Sequence, residues 1–204
     1  MKIAIIDSGI HFGHPHVGAV AGGVCITPDG ENGDITDRLG HGTAVAGAIR
    51  EKAPGAELYV VKVFDRRLSA SIEVILRALE WCRAQKMDLA NLSLGTANSA
   101  YEEPFKRVIG EDLLIVGAAH MLPGCLPNVI GVAPDEHCPR DSFWVRDDIY
   151  YASPYPRSIP GVPLERNLSG ASFAVANVTG CIAAEWLALG GLRGSGVPSS
   201  GTAG

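Results

Sequence analysis

Three side chains whose types can do chemistry together stand far apart in this chain: the carboxylate of Asp7, the imidazole of His41 and the hydroxyl of Ser172. A serine hydroxyl attacks a carbonyl only when its proton is taken up. The set therefore assigns His41 as general base, and afterwards as the acid that protonates a departing amine, with Asp7 orienting the imidazole and stabilising its charged form. Taken singly, two of them have a plainer use: Asp7 closes a strand-end turn and Ser172 caps a helix. The order Asp, His, Ser carries information, because unrelated folds assemble these groups in different chain orders. It separates this chain from the His-Asp-Ser and Ser-Asp-His arrangements. The absence of Gly-x-Ser-x-Gly also speaks against an α/β esterase.

Each of the three groups needs an element to hold it. Residues 2–6 are a continuous apolar run, long enough for a buried parallel strand, and deliver Asp7-Ser8-Gly9 at its carboxyl end. Residues 44–49, all small or apolar, follow Gly40-His41-Gly42-Thr43 and suit a helix lying close against a sheet. Ser172 opens an apolar helix that runs towards Leu189. Between them, strands are expected over residues 57–64, 88–93, 113–119 and 128–133. A helix is expected over 69–85, where Ile72, Ile75, Leu76 and Leu79 recur with helical period and Ser69 or Ser71 is available as cap. This alternation predicts an α/β fold whose mostly parallel sheet carries helices on both faces and a site at the strands' carboxyl ends.

Asp7-Ser8-Gly9, with His14-Pro15 after it, then Gly40-His41-Gly42-Thr43 and Ser169-Gly170-Ala171-Ser172-Phe173-Ala174 resemble, in order, the three motifs of the subtilisin-like serine peptidases (subtilases, peptidase family S8). The resemblance implies a three-layer subtilisin-like fold over residues 1–189 and a serine endopeptidase working through a Ser-His-Asp triad and an acyl-enzyme. Ser93-Leu94-Gly95 resembles the family's strand that pairs with the substrate backbone. An extended peptide can add to such an edge by main-chain hydrogen bonds, which makes Ser93, Leu94 and Gly95 the expected substrate contacts. The alternative is a core strand that merely ends in a loop. Departures from the family pattern are also visible. Ala44 stands where a second His is usual, Ala176-Asn177 stands where Pro-His is usual, and the interval from His41 to Ser172 is short. The oxyanion Asn is missing, and His120 occupies its place in Ala118-Ala119-His120, either as a substitute donor or as a loop histidine pointing elsewhere.

The remaining composition narrows the partners. In 204 residues, 47% hydrophobic with 25 Gly and 13 Pro, one globular domain with many turns is expected. A net charge of -5 offers no footprint for nucleic acid. No stretch approaches the roughly 20 continuous apolar residues of a membrane span. The first strand begins at Lys2, without the layout of a secretory signal or room for a prosegment, so a cytoplasmic chain is expected, or one whose leader has been removed. Cys25, Cys82, Cys125, Cys138 and Cys181 form an odd set without Cys-x-x-Cys and are expected as buried or reduced thiols. His11, His14 and His16 are close in sequence, but spacing alone does not make a metal site. Asp29, Glu31, Asp34 and Asp37 offer oxygens without a calcium ligand pattern, and a solvated acidic loop is expected there. No cofactor is required. Residues 135–166, rich in proline and aromatics, are expected to be irregular surface, and residues 190–204 a flexible Gly/Ser-rich tail.

The expected activity is cleavage of a peptide or protein substrate, with a narrow role such as removal of the leader from a small precursor peptide. The alternative is a weakly active or inactive homologue that binds peptides or joins a partner protease subunit. The intact Asp7, His41 and Ser172 favour the first and the missing oxyanion Asn the second.

Overall fold

The computed structural model describes residues 1–190. The amino-terminal apolar run is β1 (Lys2–Asp7), followed by β2 (Gly22–Thr27), β3 (Gly30–Asn32), α1 (His41–Lys52), β4 (Glu57–Lys62), α2 (Ile72–Ala84), β5 (Leu89–Leu92), α3 (Glu102–Val108), β6 (Leu114–Ala118), β7 (Ile130–Pro134), β8 (Trp144–Arg146), β9 (Ile149–Ala152) and α4 (Ala171–Ala188). The strands form one nine-stranded sheet in the order β3-β2-β4-β1-β5-β6-β7-β9-β8. Every pairing is parallel except the two edge hairpins, β2 with β3 and β8 with β9.

Side chains alternate across a strand, and β1 shows what that does here. Ile3 and Ile5 enter a core with α1 and α4, while Ala4 and Ile6 enter a second core with α2 and α3. The expected three-layer α/β fold is the observed one. Small residues set the α1–α4 spacing: a Cβ on Gly180 would lie 3.0 Å from Lys52 Cδ and 3.3 Å from Ile49 Cα. All of α4 from Phe173 to Ala183 is buried. By length and composition α4 would suffice to cross a bilayer, but here it is a core helix, most of it buried inside the fold.

The expected strands and helices match β1, α1, β4, α2, β5, β6, β7 and α4 to within a few residues, whereas β2, β3, α3, β8 and β9 were not expected. Ser71 takes the position before α2, yet its hydroxyl makes no capping hydrogen bond. Residues 135–166 are not wholly irregular. The β8–β9 hairpin turns through Asp147 and Asp148, both at positive φ (51° and 60°), the geometry of a two-residue hairpin turn. Its aromatics cover the sheet edge: Tyr150 packs against Phe143 with ring centroids 5.3 Å apart, and Arg146 lies over Tyr151. Of the tail expected over 190–204, all but Gly190 lies outside the described residues.

Candidate active site

β1 ends at Asp7 and α1 begins at His41, and two glycines bring these ends together. A Cβ on Gly42 would fall 2.4 Å from the Gly9 carbonyl oxygen, and Gly9 itself has φ 111°, a conformation that side chains other than glycine's rarely adopt. His41 Nδ1 then lies 2.8 Å from Asp7 Oδ1 and 3.0 Å from Oδ2. With Nδ1 facing the carboxylate, Nε2 is the ring nitrogen left to take up a proton. Asp7 is wholly buried, and its Oδ1 also accepts the Ser8 N–H at 2.7 Å. Burial works against the imidazolium. The hydrogen bond to Asp7 and the negative charges of Asp7 and Asp37 outweigh it and hold the His41 pKa above its ordinary value.

Asp37 departs from the expected solvated acidic loop. Asp29, Glu31 and Asp34 are exposed, but Asp37 is buried. Its Oδ1 accepts the N–H groups of Leu39 and Gly40, each at 2.9 Å, and its Oδ2 accepts the N–H and hydroxyl of Thr43 at 2.9 and 2.6 Å. Ser8 Oγ donates to Asp37 Oδ1 at 2.9 Å and accepts the Gly42 N–H at 2.9 Å. Burial alone would raise the Asp37 pKa, but these donors bring it below the ordinary carboxylate value. This second carboxylate fixes the first turn of the helix that carries His41. The sequence signal was its position four residues before His41.

Ser172 is the second residue of α4, whose preceding Gly170 has φ 148°. Its Oγ donates to the Ser93 carbonyl at 3.2 Å, while Ser93 Oγ donates to the Ser172 carbonyl at 2.9 Å. Behind them Asn91 Nδ2 donates to Ser93 Oγ and Thr179 Oγ1 donates to Asn91 Oδ1, both at 2.9 Å, so a buried polar chain pins α4 to the end of β5. The Phe173 ring stands 5.4 Å from that of His41. His41 and Ser172 open into one cavity of about 410 Å³, to which Ser93, Leu94 and Gly95 also contribute. His41, held from behind by the buried Asp7, and Ser172 thus line one cleft, and the Ser172 hydroxyl is turned to Ser93.

At Gly95 the close neighbour is the chain itself. A Cβ there would lie 2.7 Å from Met121 Cβ. Thr96 and Leu122 exchange N–H···O bonds of 3.0 and 2.9 Å that close this side. Apolar side chains of Phe64, Ile72, Ile75, Phe105 and Leu122 also wall the cavity, a chamber that sequence reading did not identify because its walls come from four separate segments. His120 is exposed in the turn after β6 and makes no hydrogen bond to Ser172 among the described residues. No three His, Cys, Asp or Glu side chains converge in a way that could hold a metal among the described residues. His11, His14 and His16 instead pack edge to face, with centroids 6.2 and 5.1 Å apart. All five cysteines are free, four of them buried and Cys125 exposed.

The family model that matches is that of the Subtilase family, over residues 1–120. The chain belongs to the subtilase family. It is similar to Subtilisin Savinase of Lederbergia lenta, 32% identical over 198 residues, which cover 88% of this subtilase and 70% of the relative. It is 30% identical over 202 residues to Subtilisin NAT of Bacillus subtilis subsp. natto, covering 88% of this chain and 51% of that one. The match to Subtilisin E of Bacillus subtilis (strain 168) is 35% over 130 residues, 34% of that protein. This subtilase therefore matches about half of the length of the first of those last two relatives and about a third of the second. A solved structure, that of the prenylagaramide maturation protease PagA, superposes with a TM-score of 0.67 at 23% identity, covering 93% of this chain and 77% of the other, which is a likeness of fold.

Proposed function

We propose that this subtilase is a serine endopeptidase in which Ser172 is the nucleophile, His41 the general base and Asp7 the group that orients and charges it. The observation that carries this reading is the buried Asp7 carboxylate on His41 Nδ1 beside a cleft that Ser172 also lines. On substrate binding the Ser172 hydroxyl leaves the Ser93 carbonyl, gives its proton to His41 Nε2 and attacks the peptide carbonyl. The proton then passes to the leaving amine, and water, activated in the same way, releases the acyl group. The backbone N–H of Ser172 and, with substrate in place, the His120 imidazole serve as donors to the oxyanion. Ser93, Leu94 and Gly95 meet the peptide backbone, and the chamber takes an apolar side chain of the substrate.

A narrow processing role on a precursor peptide fits this cleft better than bulk digestion, because apolar walls in the cavity that Ser172 also lines select among sequences. The fold likeness to a protein named as a maturation protease agrees with that role by analogy. Mass-spectrometric mapping of cuts in a diverse peptide library tests it. The expected result is a restricted set of sites with an apolar residue at a fixed distance from the cut. Cleavage of unrelated unfolded proteins as efficient as that of any peptide would contradict it. A peptide-binding homologue without turnover is the second reading, favoured by the exposed His120 and by the Ser172 hydroxyl turned to Ser93.

A further inference from the structure

Behind the active-site cleft lies a second groove of about 600 Å³, separated from it by residues 69–71 and sharing Phe64, Ser69, Ala70 and Ser71 with it. Its floor is apolar, made by Ile26, Pro28, Val63, Phe64 and Val74, and Arg66 and Arg67 form its lip. The other charges there are already engaged. Lys62 Nζ, almost fully buried, donates to the Thr36 carbonyl at 2.7 Å and to Asp65 Oδ1 at 3.0 Å, and Asp65 also accepts Arg38 Nη1 at 2.8 Å. Arg66 is 93% exposed and only 3.9 Å from Asp65 Oδ2, beyond hydrogen-bonding distance. Arg67 is exposed and makes no ion pair among the described residues. In a chain of net charge -5, two adjacent guanidinium groups without a hydrogen-bonded counter-ion stand at an apolar groove that shares a wall with the cleft holding Ser172.

We infer that this groove is a second recognition site for the same peptide, taking a stretch that is acidic and in part apolar and lies remote from the bond to be cut. The inference deepens the peptidase reading and rests on it. A peptide laid along Ser93–Gly95 with a side chain in the apolar chamber reaches residues 69–71, and the shared walls lead it over them. Arginine at the lip suits carboxylates, which its planar fork binds in pairs. Charge at this distance from the nucleophile acts on binding and not on the chemical step, so its signature is in KM.

The test uses a cleavable peptide found by library mapping, extended at either end by four Glu or by four Lys residues, with steady-state kinetics on the wild type and on Arg66→Glu/Arg67→Glu. At low salt an acidic extension at one end lowers KM about 3- to 10-fold relative to the basic one, the scale of two exposed charge pairs. The advantage fades as ionic strength rises, and the double variant prefers the Lys extension. Affinity of the extended peptides for Ser172→Ala, measured by fluorescence anisotropy, gives the same comparison without turnover. Equal KM and equal affinity for both extensions at both ends, or a Glu preference that survives in the double variant, would overturn the second site while leaving the peptidase reading intact. Should library mapping yield no cut at all, the same Glu and Lys extensions on library peptides are compared by anisotropy alone, and a charge preference there would overturn the peptidase reading while leaving the second site.

Discussion

Ser93 and Ser172 exchange hydrogen bonds, each hydroxyl donating to the other's carbonyl, at 2.9 and 3.2 Å. Ser172 is thereby held against the end of β5, and its proton rests on a carbonyl. Ser93→Ala removes one of the two bonds and leaves the buried Asn91 amide without its acceptor. Unfolding stability is expected to fall by about 1–3 kcal/mol, the cost of a buried donor left unpaired. Turnover is expected to fall as the start of α4 loosens. Urea denaturation with parallel kinetics checks this, and an unchanged midpoint with unchanged kcat would show that the exchange has no bearing on the site.

Asp37 and Asp7 bear on the same imidazole, one through Ser8 and the helix turn, the other directly. A general base works when neutral, so kcat/KM rises with pH as His41 loses its proton, with a midpoint above the ordinary histidine value of 6.5. Asp37→Asn removes one of the two negative charges that favour the imidazolium, so the acid limb should move to lower pH. A purely structural Asp37 would lower activity without moving the limb. The same carboxylate, with its pKa depressed, contributes stability present above its unfolded value and lost as pH falls through the folded one. Acid unfolding of Asp37→Asn should accordingly show a weaker dependence on pH below about 4 than that of the wild type.

Gly95→Ala puts a methyl 2.7 Å from Met121 Cβ and must displace a backbone that Thr96 and Leu122 hold in place. Such overpacking costs on the order of 1–3 kcal/mol and should raise KM, because Gly95 borders the cleft. Pairing it with Met121→Gly, which removes the atom it strikes, should recover much of both. Thermal unfolding and KM of the single and double variants decide it, and a double variant no better than Gly95→Ala would refute the steric explanation.

As an oxyanion donor His120 has to swing in with the substrate from its exposed turn. His120→Ala should then lower kcat by roughly 100- to 1000-fold, the usual loss for one such donor. His120→Asn, which restores the family's usual side chain, should retain far more activity. Equal kcat on a cleaved peptide for all three proteins would remove His120 from the mechanism.

The long apolar segments were legible because burial on both faces leaves a continuous run in β1 and a helical period in α2. The pairing of Asp7 with His41 was legible because the glycines beside them are demanded by close packing, as Gly9 and Gly42 show. Less legible were features whose cause is tertiary. Asp37 reads as one of several loop acids until folding surrounds it with donors. The Thr179–Asn91–Ser93 chain joins residues from two distant elements. The β8–β9 hairpin has strands too short to show a period, and its Asp147-Asp148 turn lacks the glycine that usually marks such turns.

The most direct measurement is covalent labelling by an active-site-directed fluorophosphonate, followed by mass spectrometry to find the modified residue. An Asp7–His41 pair able to activate Ser172 should give stoichiometric modification of Ser172 at neutral to mildly alkaline pH, abolished in Ser172→Ala and strongly slowed in His41→Ala. Folded wild-type protein that stays unmodified across that range would contradict it.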